Sequence, residues 1–179
     1  MFSSGAMLMA APYDARKVAN LLLDRFDSVR WEISNKKMNK VLFFVHGVGL
    51  ARLNYPLIRN HFEAWDHGPV VSVVYHSFKQ FDFKPISSRA AAFNYVSNEE
   101  EVLLYGELDA RDREFIIKVA EYYMQRTADD LESMTHEVDA PWSVVRATPP
   151  GERGIRNRIP DDVIRRYFVE RLGAPRAVN

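Results

Sequence analysis

Met38-Asn39-Lys40-Val41-Leu42-Phe43-Phe44-Val45-His46-Gly47-Val48-Gly49-Leu50 is the stretch on which the fold turns. Met38, Val41, Leu42, Val45 and, farther on, Leu53 recur at helical spacing, and Ser34 stands where an N-cap belongs. Gly47 and Gly49 lie inside that helix. Each weakens it by about 1 kcal/mol relative to alanine, so the pattern requires a neighbour packed close against them. The unbroken apolar run Val41–Val45 also falls far short of the ~20 residues that span a bilayer, so no membrane segment is expected.

Toward the N-terminus, Tyr13 or Asp14 starts a first helix carrying Ala15, Val18, Ala19, Leu22 and Phe26 on one face. The preceding Met1–Ala11 is apolar, but no Lys or Arg leads into it, which makes it a poor signal peptide. Toward the C-terminus, Pro56-Leu57-Ile58 and His61–Trp65 read as two short extended runs forming a hairpin around Arg59-Asn60. Asp66-His67-Gly68 is a turn, and Pro69 suits the first position of a helix bearing Val70, Val71, Val74 and Phe78. Pro85 ends that element, and residues 84–107 show no legible pattern.

Asp109 then caps a helix with Asp112 in its first turn and Phe115, Ile116, Val119 and Tyr123 facing inward. Thr127 caps a shorter one, with Asp130 three residues on as in a capping box. Residues 141–159, interrupted by Pro149-Pro150-Gly151 and Gly154, read as an exposed, arginine-rich loop before Pro160 opens a final helix with Val163, Ile164, Tyr167 and Phe168 inward. The expectation is a mainly α, compact helical domain of about five to six helices with one small β-hairpin. It occupies residues 13–172, with tails at 1–12 and 173–179.

The chain has 179 residues, 47% hydrophobic and 27% charged, the balance of a globular protein. It has no cysteine, which excludes disulfides, thiolate metal sites and cysteine nucleophiles and suits a reducing cytoplasm. Net charge is zero, but it is unevenly spread. Residues 1–93 hold 12 basic and 7 acidic side chains, residues 94–142 hold 4 and 13, and residues 143–179 hold 8 and 4. Such a pattern serves either internal attraction between segments or two faces that steer charged partners. A dedicated nucleic-acid binder would be more basic, and no helix-turn-helix with a basic recognition helix is visible, so direct nucleic-acid binding is not expected.

Phosphate-cradling motifs and the Gly-x-Ser-x-Gly elbow are absent, and no cofactor is expected. The one enzymatic arrangement is His61-Phe62-Glu63-Ala64-Trp65-Asp66-His67. On a strand, His61, Glu63 and His67 point to one side and supply zinc-type ligands, the basis of an alternative reading as a metal-dependent hydrolase. The spacing is not His-Glu-x-x-His, the run crosses a turn, and polar alternation is equally what an exposed strand face shows. Trp65 and Trp142 each adjoin a turn signal and serve either the core or an interface, where tryptophan anchors binding. Arg146, Arg153, Arg156 and Arg158 follow on the expected loop, within reach of an acidic partner, whereas segment 94–142 suits a basic one.

Taken in order, Met38–Gly47 with its aromatic-x-His-Gly ending at His46-Gly47, then Pro56-Leu57, then Ala64-Trp65-Asp66-His67-Gly68-Pro69-Val70 leading to Val74-Tyr75, resemble the Panacea domain family of SocA-like antitoxins. A second block resembles it too: Leu131–His136, Pro141-Trp142, Ile159 and Tyr167-Phe168. Together they span roughly residues 14–170, and the joint pattern is more specific than either block. Ala140 and the longer arginine-rich loop after Trp142 depart from the family pattern. The resemblance implies a bacterial or phage antitoxin that neutralises a cognate protein toxin and, in the SocA-like branch, a proteolytic adaptor delivering that toxin to an AAA+ protease. It implies no catalysis. His46, Gly47, Gly68, Pro69, Tyr75, His136 and Pro141 would then be structural positions of the family motif.

Overall fold

The computed structural model of the chain describes residues 11–173. Its axis is helix α2 (Asn35–Arg52), with 15 of its 18 residues buried. Most of its length is therefore surrounded by protein on all sides. Around it pack α1 (Ala15–Arg25), α3 (Ser72–Phe78), α4 (Ala110–Met124), α5 (Ala128–Thr135) and α7 (Asp161–Leu172). The helix ends follow local chemistry. Asp14, Ser34 and Asp109 accept backbone N–H groups at the starts of α1, α2 and α4, and Thr127 with Asp130 forms a complete capping box at α5.

The two α2 glycines are where close approach is needed. A Cβ at Gly47 would overlap the ring of Phe168 on α7, and one at Gly49 would lie 2.6 Å from Leu57 Cδ1. Phe168 thereby reaches an aromatic cluster with Phe43 and Phe44, each with its ring centroid 6.0 Å away. His46 closes the same joint. It is fully buried, its Nδ1 accepts the Ile58 N–H at 3.2 Å, and its Nε2 lies 3.1 Å from Asp161 Oδ1 in the first turn of α7. The accepting Nδ1 places the proton on Nε2, so this histidine joins three segments and is fully occupied.

Four expectations need correction. Among the described residues there are seven helices, not five to six, because α6 (Pro141–Ala147) lies where an exposed loop was expected. Pro141 takes the N1 position, and Pro141 and Val145 are buried, which is enough to fold one short helix onto the core. A single 3₁₀ turn over Ile155–Asn157 and strand β5 (Arg158–Ile159) complete that region.

The hairpin is also displaced. Strands β1 (Phe62–Trp65) and β2 (Gly68–Val70) pair antiparallel around Asp66-His67, with β5 on the other side of β1. The run at 56–58 forms no strand: Ile58 makes an isolated bridge with Tyr13, whose N–H donates to Leu57 O and whose O accepts from Arg59 N–H, both at 2.8 Å. Pro69 therefore lies in β2 and opens no helix. As the edge strand of its sheet, β2 tolerates a missing N–H, and the helix waits until Ser72. Finally, the illegible 84–107 region contains a second hairpin, β3 (Ala91–Asn94) with β4 (Glu99–Val102).

Gly68 has φ +103°, and a Cβ there would meet Lys40 Cε and Nζ and Thr135 Oγ1, each at 2.8 Å. Both the backbone shape and the space exclude a side chain. Gly68→Val is expected to cost about 1–3 kcal/mol of stability. A melting temperature equal to that of the parent would show that this joint tolerates a side chain.

Candidate partner-binding site

The first half of α2 is polar yet buried, and its side chains are spent on the backbone of residues 69–75. Asn39 Oδ1 accepts the Val71 N–H at 2.9 Å, and Asn35 Nδ2 donates to Tyr75 O at 3.0 Å. Asn39 Nδ2 bonds back to Asn35 at 3.0 Å, so the two amides form one relay. Lys40, 1% exposed, donates from Nζ to Pro69 O at 3.2 Å. Burial pushes its amine down to about 7, against the partial support of Glu132. The Met-Asn-Lys and Gly-Pro-Val-Val segments, far apart in sequence, are thus one physical unit.

In front of this unit opens a cavity of about 680 Å³. Asn39 and Lys40 belong to its α2 wall, Trp65 and Asp66 to the hairpin wall, and Tyr75 and Phe83 to a third side. The Trp65 and Tyr75 rings meet edge to face with centroids 4.9 Å apart, and Trp65 Nε1 donates to Glu63 Oε2 at 2.8 Å. Arg146 and Arg156 close the fourth side. Arg146 is 3.0 Å from Asp66 Oδ1, and its guanidinium lies 5.7 Å from the centre of the Trp142 ring. Arg156 is exposed at φ +55°, a backbone shape unfavourable for arginine, and is followed by Asn157 at +54°, which asparagine tolerates.

Below the hairpin lies a charged cluster. Glu132 of α5 pairs with Lys36 and, at 3.2 Å, with His67 Nδ1, while Lys36 also reaches Asp129 at 2.7 Å. Burial alone would raise the Glu132 carboxyl, but the hydrogen bonds from Lys36 and His67 outweigh it and hold it below the usual carboxylate range. His136 stacks on Trp142 at 3.8 Å between centroids, and burial lowers its basicity. Its Nε2 is buried without a hydrogen-bond partner among the described residues.

The sequence-selected residues divide accordingly. Trp65, Arg146 and Arg156 line the cavity together, with the motif residue Tyr75 beside them. Trp142 lies just behind, its Nε1 donating to Trp65 O at 2.7 Å, which makes it a support for the wall. Arg153 turns inward and donates to Thr148 O and Arg146 O, both at 2.7 Å, satisfying carbonyls at the end of α6. Arg158, on β5, pairs in register with Glu63 of β1 and faces a smaller cavity with His61. His61, Glu63 and His67 do not converge. Glu63 is bonded to Trp65, His67 to Glu132, and no group of three potential ligands is assembled among the described residues.

Sequence reasoning passed over Lys40, Asn39 and Asn35. The available signal was the unbroken apolar run Val41–Val45, which leaves no solvent face on a helix and so implies burial one turn back as well.

A buried amine with its folded value depressed binds fewer protons than the unfolded chain between about pH 7 and 10.5, so stability should rise with pH across that window. Below it the amine is charged in both states and its desolvation cost is fully present. Lys40→Met should therefore flatten the rise in the urea midpoint between near-neutral and alkaline pH relative to the parent. Parallel profiles for the two proteins would show that the amine is not desolvated.

Comparison with known proteins bears on what binds here. Residues 38–143, which include α2 from Met38 onward, the β1–β2 hairpin, α3 and the tryptophan pair, match the family described as Antitoxin SocA-like, Panacea domain. The chain is 36% identical over 155 residues to Antitoxin SocA of Caulobacter vibrioides, covering 87% of this chain and 82% of that protein. No solved structure matches. The buried α2 unit, its glycine-proline strand and the cavity they frame are thus carried on a chain that belongs to the SocA-like antitoxins of the Panacea domain family.

Proposed function

We propose that this protein is an antitoxin that binds and neutralises a cognate protein toxin in the cytoplasm, acting as an adaptor that delivers it to an AAA+ (Clp-type) protease. Family membership supports the antitoxin role. The observation that carries the site is the cavity itself, where Trp65 and Tyr75 offer aromatic faces beside Arg146 and Arg156. Interface energy concentrates in such Trp, Tyr and Arg residues when they are ringed by other contacts. The protein acts stoichiometrically, through recognition alone. No helix of the described residues is long and apolar enough to cross a membrane.

Separate measurements of folding and binding test this. Trp65→Ala and Arg146→Ala should each weaken binding of the toxin encoded alongside by about 2 kcal/mol, roughly 30-fold, with little change in thermal midpoint. Trp142→Ala should instead lose about 3 kcal/mol of stability, since Trp142 braces the hairpin. Full toxin affinity in folded Trp65 and Arg146 variants would move the interface elsewhere. The adaptor step predicts that toxin half-life lengthens in cells lacking the protease even when this protein is abundant. An unchanged half-life would leave sequestration as the mechanism.

A further inference from the structure

The β3–β4 hairpin is the most exposed structured part of the protein, yet it is held firmly at its root. Asn20, fully buried on α1, donates from Nδ2 to Ala90 O at 2.9 Å and to Leu103 O at 2.8 Å, and its Oδ1 accepts the Ala90 N–H at 2.7 Å. One side chain thus clamps both strands. Lys17 and Asp24, on the same face of α1, hold the flanks: Lys17 bonds Glu107 at 2.7 Å, and Asp24 accepts from Arg89 and from Tyr105 at 2.8 Å.

Beyond the clamp, apolar groups face solvent. Register places Ala91, Phe93, Glu100 and Val102 on one face, with Phe93 and Val102 each 46% exposed. At the tip, Tyr95 is 89% and Val96 96% exposed, and the Tyr95 ring lies 5.0 Å from that of Phe93. No ion pair of the described residues includes Glu99, Glu100 or Glu101. An apolar sheet face of this kind, with both outer edges unpaired among the described residues, is a template for another strand.

Charge decides which strand. Nucleic acid and anionic membrane are repelled by the three glutamates. A second copy pairing through β4 would set glutamate against glutamate, which is destabilising. We propose that the β3–β4 hairpin is a docking surface, distinct from the cavity, for an extended protein segment that alternates basic and apolar side chains. The apolar side chains cover Phe93, Tyr95 and Val102 on one face, and the basic ones meet Glu99 and Glu101 on the other. The root clamp keeps the surface preformed, so little ordering is lost on docking.

Short fluorescent peptides alternating lysine with valine, glutamate with valine, and lysine with serine test the surface by anisotropy on the full chain. The lysine–valine peptide should bind at least about tenfold more tightly than either of the others, and more weakly as salt rises. Combined Glu99→Lys, Glu100→Lys and Glu101→Lys should weaken it at least about tenfold, and Phe93→Ser with Tyr95→Ser should do the same at unchanged melting temperature. Trp65→Ala should leave it unaffected, so that failure of the hairpin and failure of the cavity reading are told apart. Equal binding of the lysine–serine peptide, indifference to the glutamate reversals, or a dimer that the hairpin substitutions dissociate would each overturn the proposal.

Discussion

The fold depends on a helix that buries a polar half. Asn35, Asn39 and Lys40 would ordinarily belong to a solvated face, and sequestering an amide or amine without partners is costly. Here each is matched to a backbone group of the 69–75 segment. This exchange fixes the height and direction of β2 and α3 against α2. It also explains why the strand begins with Gly-Pro: Gly68 leaves room for the Lys40 chain, and Pro69 presents a carbonyl to it at the sheet edge. The cavity wall is the outer side of this arrangement.

Electrostatics is layered on that frame. Part of the acidic middle of the chain is paired at the surface, through Lys17–Glu107, Lys36–Asp129 and Arg171–Glu137. Three more, Glu99, Glu100 and Glu101, are left outward on the β3–β4 hairpin, and Arg146, Arg153 and Arg156 of the basic C-terminal segment close the cavity or serve helix carbonyls. Internal pairing accounts for the first group of acids, and the steering of a partner is what the hairpin proposal adds for Glu99, Glu100 and Glu101. Asp129 on α5 and the loop residues Glu107 and Glu137 lie within reach of a lysine or arginine, while Glu99, Glu100 and Glu101 on the projecting strand enter no ion pair among the described residues.

What the sequence disclosed was chemistry that acts within a few residues. Ser34, Asp109 and Thr127 with Asp130 are caps whose donors lie two or three residues ahead, and each was legible. Gly47 and Gly49 announced close packing without naming Phe168 and Leu57. Pro69 misled because proline suits both a helix start and an edge strand, and the choice is made by β1 and Asn39, outside the local window. The 84–107 region was opaque for a related reason. Its strands lack a buried face, so no alternation appears, and their register depends on Asn20 some 70 residues earlier. At the site, Trp65, Arg146 and Arg156 were found as residue types beside turns. Arg153 looked identical in sequence and differs only because the end of α6 needs donors.

The glycine notch in α2 has a consequence for how the protein is made. The ring that fills it belongs to α7, and the His46–Asp161 contact that seats the same helix joins residues 115 positions apart. A chain emerging from the ribosome can form α1 and α2 early, and Phe43 and Phe44 can meet Phe62 and Tyr123, but the notch stays empty until α7 arrives. Nascent protein therefore completes this joint only by a long-range closure, and the notch is open to chaperones and proteases until α7 has been made.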